Sequence, residues 1–431
     1  MGKTLILGGG LAGLSCAYHL KSDYILLEAS DEPGGLARSV RQEGFVFDYT
    51  GHLLHLRNPY TLKLIPDLLG DNLVLNERRA WIYSNGACTR YPFQANTYGL
   101  PKKVVEACLR GFVEAQLAGK TAGVQPESFK SWVMRTFGSG FARYFFFPYN
   151  EKLWTVAPDV LTAEWVAPFV PKPSVQEVFD GAFNDQTKKF GYNTAFYYPR
   201  DGGIQVLASA LAKPLKNLHL NCEAVAVDLV KKEVSLANGE KFTYESLVNT
   251  LPLPRFLDMA GYLPAEIAES RRQMRWNSVY SINLGVARPA VSDKHWIYFP
   301  EKKFPFYRVG FPMNFSDRMV PPGCSSMYIE IAHQPGRHLD EAGIMKKTIM
   351  GLQSCGILRP GDKILCDKIL RIPVAYVIYD KYRTQAAGKA LDWLKKREIF
   401  SIGRYGAWKY SYMEEAILEG KYAAEEIDKN L

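Results

Sequence analysis

The stretch Thr4-Leu5-Ile6-Leu7-Gly8-Gly9-Gly10-Leu11-Ala12-Gly13 decides how this chain is read. A short aliphatic and β-branched run is followed by G-x-G-x-x-G, and then by Leu14 to Leu20, where apolar residues recur at helical spacing. Gly8 permits the tight turn, and Gly10 lets backbone approach a pyrophosphate. Gly13 lets the helix pack close to its strand, and the amides at the helix N-terminus are left to face phosphate. A second strand, Tyr24-Ile25-Leu26-Leu27, ends at Glu28, about 20 positions on, where an acid binds a ribose hydroxyl. Strand context and acid together predict a Rossmann-like dinucleotide site rather than a glycine-rich turn without a ligand.

Around this motif lie 431 residues, 47% apolar and 23% charged, a globular composition that argues against disorder, collagen-like sequence and coiled coil. At ~150 residues per domain, two or three domains are expected. The formal charge of +9 suits a nucleic-acid groove, an anionic lipid surface or anionic ligands, and charge alone does not choose between them. The basic residues are scattered, with no cluster longer than Lys395-Lys396-Arg397, which disfavours nucleic acid. The seven cysteines are widely spaced, without a C-x-x-C pair or His at zinc-ligand spacing, so no metal site is expected and they read as reduced packing residues of a cytoplasmic protein. No segment approaches the ~18 apolar residues of a membrane span.

Directly after Glu28 comes Pro33-Gly34-Gly35-Leu36-Ala37-Arg38. A Gly-Gly pair followed by a basic residue resembles the second phosphate-contact segment of the glutathione-reductase and amine-oxidase class of FAD proteins. FAD is therefore the cofactor this resemblance implies, with Gly35 and Arg38 at its phosphates; the alternative for Arg38 is a solvated surface cation. From Asn58 to about Lys189 the pattern reads as largely helical, around Leu62 to Leu69, Lys102 to Gln116 and Ser128 to Tyr144. Residues 217 to 251 alternate as strands with an Asn238-Gly239 hairpin turn, and residues 275 to 385 read as strands with long loops. Glu398 to Gly403 is a strand and Glu414 to Lys429 a helix. The expected class is α/β, α+β overall. A discontinuous Rossmann-like FAD-binding domain (1–57, 190–262, 386–431) would carry an inserted helical domain (58–189) and a second, mixed or antiparallel substrate sheet (263–385).

Further segments resemble one family. They are the Gly51-His52 pair after Phe47-Asp48-Tyr49-Thr50, the loop Arg90-Tyr91-Pro92-Phe93-Gln94-Ala95-Asn96, and Pro148-Tyr149-Asn150-Glu151-Lys152-Leu153-Trp154. To these add Trp296-Ile297-Tyr298-Phe299-Pro300, Pro305-Phe306-Tyr307-Arg308 and Gly403-Arg404-Tyr405-Gly406-Ala407-Trp408-Lys409-Tyr410. Together they resemble the UDP-galactopyranose mutases of the eukaryotic-type branch, in register over nearly the whole chain. That resemblance implies no net redox: reduced FAD uses N5 as a nucleophile on the anomeric carbon, expels the nucleotide diphosphate, and the sugar recloses with a different ring size. It further implies a nucleotide-diphosphate sugar as ligand, NAD(P)H or a reductase as reductant, and a place in cell-wall polysaccharide synthesis.

The same resemblance assigns roles. His52, beside N5, tunes the flavin, the alternative being a hydrogen-bonded core histidine, and Gly51 stands with it at the cofactor. Tyr91, Phe93 and Gln94 grip the uracil, completed by Asn150 and Trp154. Arg308 binds the diphosphate, the alternative being a structural ion pair. Tyr298, Tyr376 and Tyr410 place hydroxyls on the phosphates, Asn193 lies near the sugar, Arg404 contacts the flavin or the sugar side, and Val225 stands at the adenine. Two positions depart from the family pattern: Phe169 falls where a second diphosphate arginine is expected, and Phe315 where a tyrosine is. Lys172, three residues beyond Phe169, is the expected substitute. The rival reading is an electron-passing flavoenzyme of the amine oxidase, protoporphyrinogen oxidase or desaturase type.

Overall fold

The computed structural model describes residues 4–119, 127–166, 169–191, 194–337 and 339–430. The aliphatic runs of the opening motif form a five-stranded parallel sheet in the order Ile399–Ser401, Ser246–Asn249, Thr4–Leu7, Tyr24–Leu27 and Leu218–His219. All four residues of Thr4–Leu7 are buried, as expected of a central parallel strand covered on both faces. The helix Leu11–His19 follows the glycine turn, and a Cβ at Gly13 would stand 2.0 Å from the Gly8 carbonyl oxygen, so only glycine lets helix and strand come this close. The last helix, Met413–Asn430, packs on the first at Gly420, where a Cβ would meet the Ala12 carbonyl at 2.4 Å.

A second sheet of seven strands runs Ile364–Val377, Trp276–Val286, Ser325–His333, Arg308–Gly310, Trp296–Tyr298, Ala80–Ser84 and Ala87–Arg90, antiparallel except where Trp296–Tyr298 meets Ala80–Ser84. Its period of two sorts the side chains. Ile297, Val309, Met327, Ile329 and Ile331 enter one apolar cluster, partly covered by the helix Glu341–Ser354. Tyr298, Arg308, Tyr328 and Glu330 take the opposite face. The helical reading of 58–189 needs correction between 73 and 90. Leu73–Glu77 pairs with Ala195–Pro199, and Ala80–Ser84 and Ala87–Arg90 join the large sheet. The cause is local: Ala80-Trp81-Ile82-Tyr83-Ser84 alternates buried and half-buried residues, a strand's period, between two amphipathic helical stretches. The helices Lys102–Leu117, Phe129–Phe141, Phe147–Trp154 and Val175–Phe183 enclose an aromatic core of Phe93, Phe129, Trp132, Phe137, Phe141 and Trp154. Among the described residues no helix is long and apolar enough to cross a membrane.

The hairpin Ser39–Gln42 with Phe45–Asp48 leads into the Gly51-His52 turn. Its anchor is Asp48, buried, whose carboxylate accepts from Ser39 Oγ (2.6 Å), Tyr198 OH (2.5 Å) and the Ile204 amide (3.2 Å). Burial nevertheless pushes its carboxyl up to about 6, against the three hydrogen bonds that favour the anion. Between about pH 4 and pH 6 the native carboxyl holds a proton that the unfolded chain has released, so its contribution to stability falls by about 3 kcal/mol as pH rises through that window. Asp48→Asn, uncharged throughout, should gain on wild type by that amount between pH 4 and pH 6.5 in urea-unfolding free energies; a difference that does not change with pH refutes this account.

Candidate active site

Between the two sheets lies a cavity of about 810 Å³, within the size range of ligand sites. At its nucleotide end Gly8, Gly10, Glu28, Gly34 and Gly35 line the wall. Gly8 has φ +97°, Gly34 +128° and Gly35 +61°, conformations that suit glycine, and the Gly34 amide donates to the Gly9 carbonyl at 2.7 Å, so the two glycine turns lie back to back. Glu28, 8% exposed, accepts from the amides of Gly9 (2.6 Å) and Ser30 (2.8 Å), which fixes its carboxylate at the cavity edge. Arg38 donates to Tyr49 OH at 3.0 Å, and its buried Nε has no partner among the described residues; it stands behind the lining. Gly13 packs behind the turn, and Val225, 45% exposed on Ala224–Asp228, does not line the cavity.

Midway, Gly51 and His52 line the wall. Burial holds the His52 imidazole down to about 4, with the Arg404 and Arg308 charges pushing the same way, so the ring is neutral at pH 7; its buried Nδ1 has no partner among the described residues. This orphaned atom and the backbone cradle fit a bound flavin dinucleotide.

The far end is built on the large sheet. Register places Tyr298 opposite Arg308, and Arg308 opposite Glu330, a single row across three strands. Arg308 Nε and Nη2 donate to the fully buried Glu330 carboxylate at 3.0 and 2.6 Å. The ion-pair alternative for Arg308 is therefore realised, yet only two of a guanidinium's five donors are engaged there and the residue still lines the cavity. Arg404 donates to the carbonyls of Ser411 (2.6 Å) and Ala375 (3.1 Å), lies over the rings of Tyr410 (5.1 Å) and Tyr376 (5.2 Å), and has no carboxylate at ion-pair distance among the described residues. Tyr298, Tyr307, Tyr328, Tyr376 and Tyr410 complete an aromatic, hydroxyl-bearing wall.

The other expected substrate residues do not reach this surface. Tyr91 lies against Tyr298 (5.5 Å), Phe93 is fully buried on Phe145 (5.1 Å), and Gln94 donates to the Pro171 carbonyl at 2.7 Å. Asn150 donates to the Phe146 carbonyl (2.8 Å) and accepts from Trp154 Nε1 (3.0 Å). These five form a layer behind the wall, their polar groups largely satisfied within it. Asn193 lies outside the described residues. Phe169 lines the cavity edge-on to Tyr410 at 4.7 Å. Phe315 instead belongs to the core, against Tyr198 (5.3 Å) and Phe196 (5.7 Å), so this departure alters packing rather than the lining. Lys172 sits over Trp132 (5.4 Å), away from the cavity, which corrects its reading as the substitute cation. Glu330, Tyr307 and Tyr328 escaped sequence reasoning; a lone acid inside Met327-Tyr328-Ile329-Glu330-Ile331 was the available signal, since a buried carboxylate demands a partner.

The chain belongs to the flavin containing amine oxidoreductases, whose family model matches residues 11–428. Its cofactor is FAD. Within that class its structure is similar to the crystal structure of reduced UDP-galactopyranose mutase, with a TM-score of 0.94, 28% identity, and coverage of 100% of this chain and 96% of that one. Putrescine oxidase with putrescine bound shares the fold at a TM-score of 0.69 and 16% identity over 99% of this chain and 98% of that one. Protoporphyrinogen oxidase 2 of Arabidopsis thaliana is 24% identical over 259 residues, which span 53% of this chain and half of that relative's length.

Removing one partner of a buried ion pair leaves the other charge desolvated. Arg308→Ala is expected to lower stability by about 3 to 5 kcal/mol in urea unfolding, and Arg308→Met combined with Glu330→Leu to recover most of it. A loss in the double variant equal to the sum of the losses in Arg308→Met and Glu330→Leu alone would show that the pair is not coupled.

Proposed function

We propose that this protein is a flavin-dependent nucleotide-sugar mutase that interconverts the pyranose and furanose rings of a UDP-hexose of the UDP-galactose type. The observation that carries the reading is the far wall: two half-buried arginines, one without a carboxylate partner among the described residues, beside five tyrosines at the end of a cavity whose other end is a dinucleotide cradle. Such a wall favours an anionic, hydroxyl-rich ligand over an apolar or amine one. The similarity to a reduced UDP-galactopyranose mutase along the whole chain supports the same conclusion.

Gly8, Gly10, Gly34 and Gly35 would hold the cofactor's pyrophosphate, and Glu28 its ribose. Bound in its reduced form, FAD supplies a nucleophilic N5 for the anomeric carbon. The remaining donors of Arg308, with the hydroxyls of Tyr298, Tyr376 and Tyr410, receive the departing diphosphate. Glu330 holds Arg308 at one orientation through two hydrogen bonds. Neutral His52 offers a polar ring at the middle of the cavity without adding charge. Arg404 adds the uncompensated positive charge that a diphosphate needs. The same reading makes the protein a cytoplasmic enzyme that depends on NAD(P)H or a reductase to keep its flavin reduced.

The second reading, an electron-passing oxidase, draws on Phe169, which puts a ring where a second diphosphate arginine is expected. The two readings separate in one experiment. Anaerobic protein reduced with dithionite should convert UDP-galactofuranose to UDP-galactopyranose with its flavin still reduced after turnover. No ring isomerisation with any nucleotide hexose, together with flavin reduction by an amine or apolar substrate, favours the oxidase. Phe169→Arg should tighten UDP-galactose binding by about tenfold or more, the worth of one charge-assisted contact; weaker binding in titration calorimetry would mean that the pocket was built for a different leaving group.

A further inference from the structure

The helix Phe147–Trp154 lies behind the far wall and touches it on two sides. Tyr149 packs on Tyr298 (5.4 Å) and Tyr307 (6.3 Å), and Trp154 on Tyr376 (5.5 Å) and Tyr410 (6.0 Å). The Trp154 side has a polar tie: buried Asn277 donates to the Leu153 carbonyl at 2.6 Å and accepts from the Tyr376 amide at 3.0 Å. The Tyr149 side is tied by Lys152. Its Nζ donates to the carbonyls of Phe299 (2.6 Å), Glu301 (3.1 Å) and Phe306, spending all three donors of an ammonium on backbone.

Those carbonyls belong to the loop joining Trp296–Tyr298 to Arg308–Gly310. The loop is closed at its base by the Phe299 amide donating to the Tyr307 carbonyl (2.9 Å), next to the Tyr298 and Arg308 register pair. Lys152 has no carboxylate at ion-pair distance among the described residues. The Glu301 carboxylate is occupied by the Asn85 amide (2.9 Å) and Lys303 (3.1 Å). Burial accordingly pushes the ammonium down to about 7. A desolvated cation without a counter-ion costs stability, and a methionine of similar length would fill the space without that cost. What a methionine cannot do is converge three carbonyls on one point.

We infer that Lys152 is a positioning residue, clamping the 299–306 loop to the helix Phe147–Trp154 so that Tyr298 and Arg308 stand at a set distance from the wall that carries Tyr376 and Tyr410. Lys152 does not line the cavity and acts on the ligand only through the hairpin. The clamp is read from geometry; its consequence for a diphosphate rests on the mutase reading.

The test compares holoenzyme carrying Lys152→Met and Lys152→Gln with wild type; the glutamine retains two donors and stands in if the methionine variant does not fold. Three quantities are read: hydrogen exchange at the Phe299 and Tyr307 amides, the dissociation constant of UDP, and KM and kcat separately for UDP-galactofuranose. The expected result is faster exchange at both amides, UDP binding and KM weakened about tenfold in Met and less in Gln, and flavin content and kcat within about twofold of wild type. Unchanged exchange, faster exchange with unchanged UDP affinity, or a parallel fall of kcat, flavin content and melting temperature each overturns the proposal. Wild type that binds no UDP defeats the mutase reading instead, and the clamp then stands or falls on the exchange measurement alone.

Discussion

The contact between Gly13 and the Gly8 carbonyl is the constraint on which the remaining architecture rests. It seats the helix Leu11–His19 so close to the strand Thr4–Leu7 that its N-terminal amides open onto the cavity, and no side chain larger than hydrogen fits between them. Gly420 repeats the device one layer out and brings the last helix within backbone distance of the first. Gly403, whose amide donates to Glu419 on that last helix at 2.6 Å, begins the turn that carries Arg404 to the far end of the site. Residues near the two ends of the chain thus meet around one cavity, and close backbone approach, rather than side-chain chemistry, brings them there.

The far wall obeys a different rule. Its polar groups stand on one face of an antiparallel sheet whose other face is an aliphatic core, so their spacing is set by strand register. A buried pair such as Arg308 with Glu330 adds little net stability, because desolvation offsets the attraction. What it provides is orientation: a guanidinium held by two parallel hydrogen bonds cannot swing out of line when a ligand departs. The fixed pair cancels its own charge, whereas Arg404 has no carboxylate at ion-pair distance among the described residues and adds positive potential at this end of the cavity.

How much of this was legible in the sequence follows from where each feature is encoded. Gly8, Gly10, Gly13 and Glu28 were readable because the cradle is a backbone conformation, and backbone conformation is written locally in glycines and strand periods. The α/β class and the mixed second sheet followed from the same periodicities. Strands at 73 to 90 were missed because their alternation spans only a few residues between helical stretches. Glu330 was missed because its meaning lies in a partner 22 residues away, which only register discloses. For Phe93, Gln94 and Asn150, residue type announced polar and aromatic chemistry, but whether a side chain faces a cavity or closes a core is decided by packing from other segments. Of the two departures, Phe315 changes only packing against Phe196 and Tyr198, while Phe169 changes the cavity lining.

Phe169 bears directly on the charge balance of the site. On the mutase reading a nucleotide diphosphate would bring about two negative charges, whereas the far wall offers, among the described residues, Arg404 without a carboxylate at ion-pair distance and an arginine already paired with Glu330. The difference would then have to be met by neutral donors, and a hydroxyl contact contributes about 1 kcal/mol where a charge-assisted one contributes about 1.5 to 3. Three tyrosine hydroxyls can therefore roughly replace one guanidinium in strength. They do not replace it in kind: hydroxyls rotate and can donate or accept, while a guanidinium only donates. A wall weighted toward hydroxyls tolerates variation in the leaving group more readily than one built from two arginines. The surplus of nine positive charges over the whole chain would draw such an anion toward the cavity, but on the same reading its hold there would be set by the geometry of Arg404, Arg308 and the tyrosines around them.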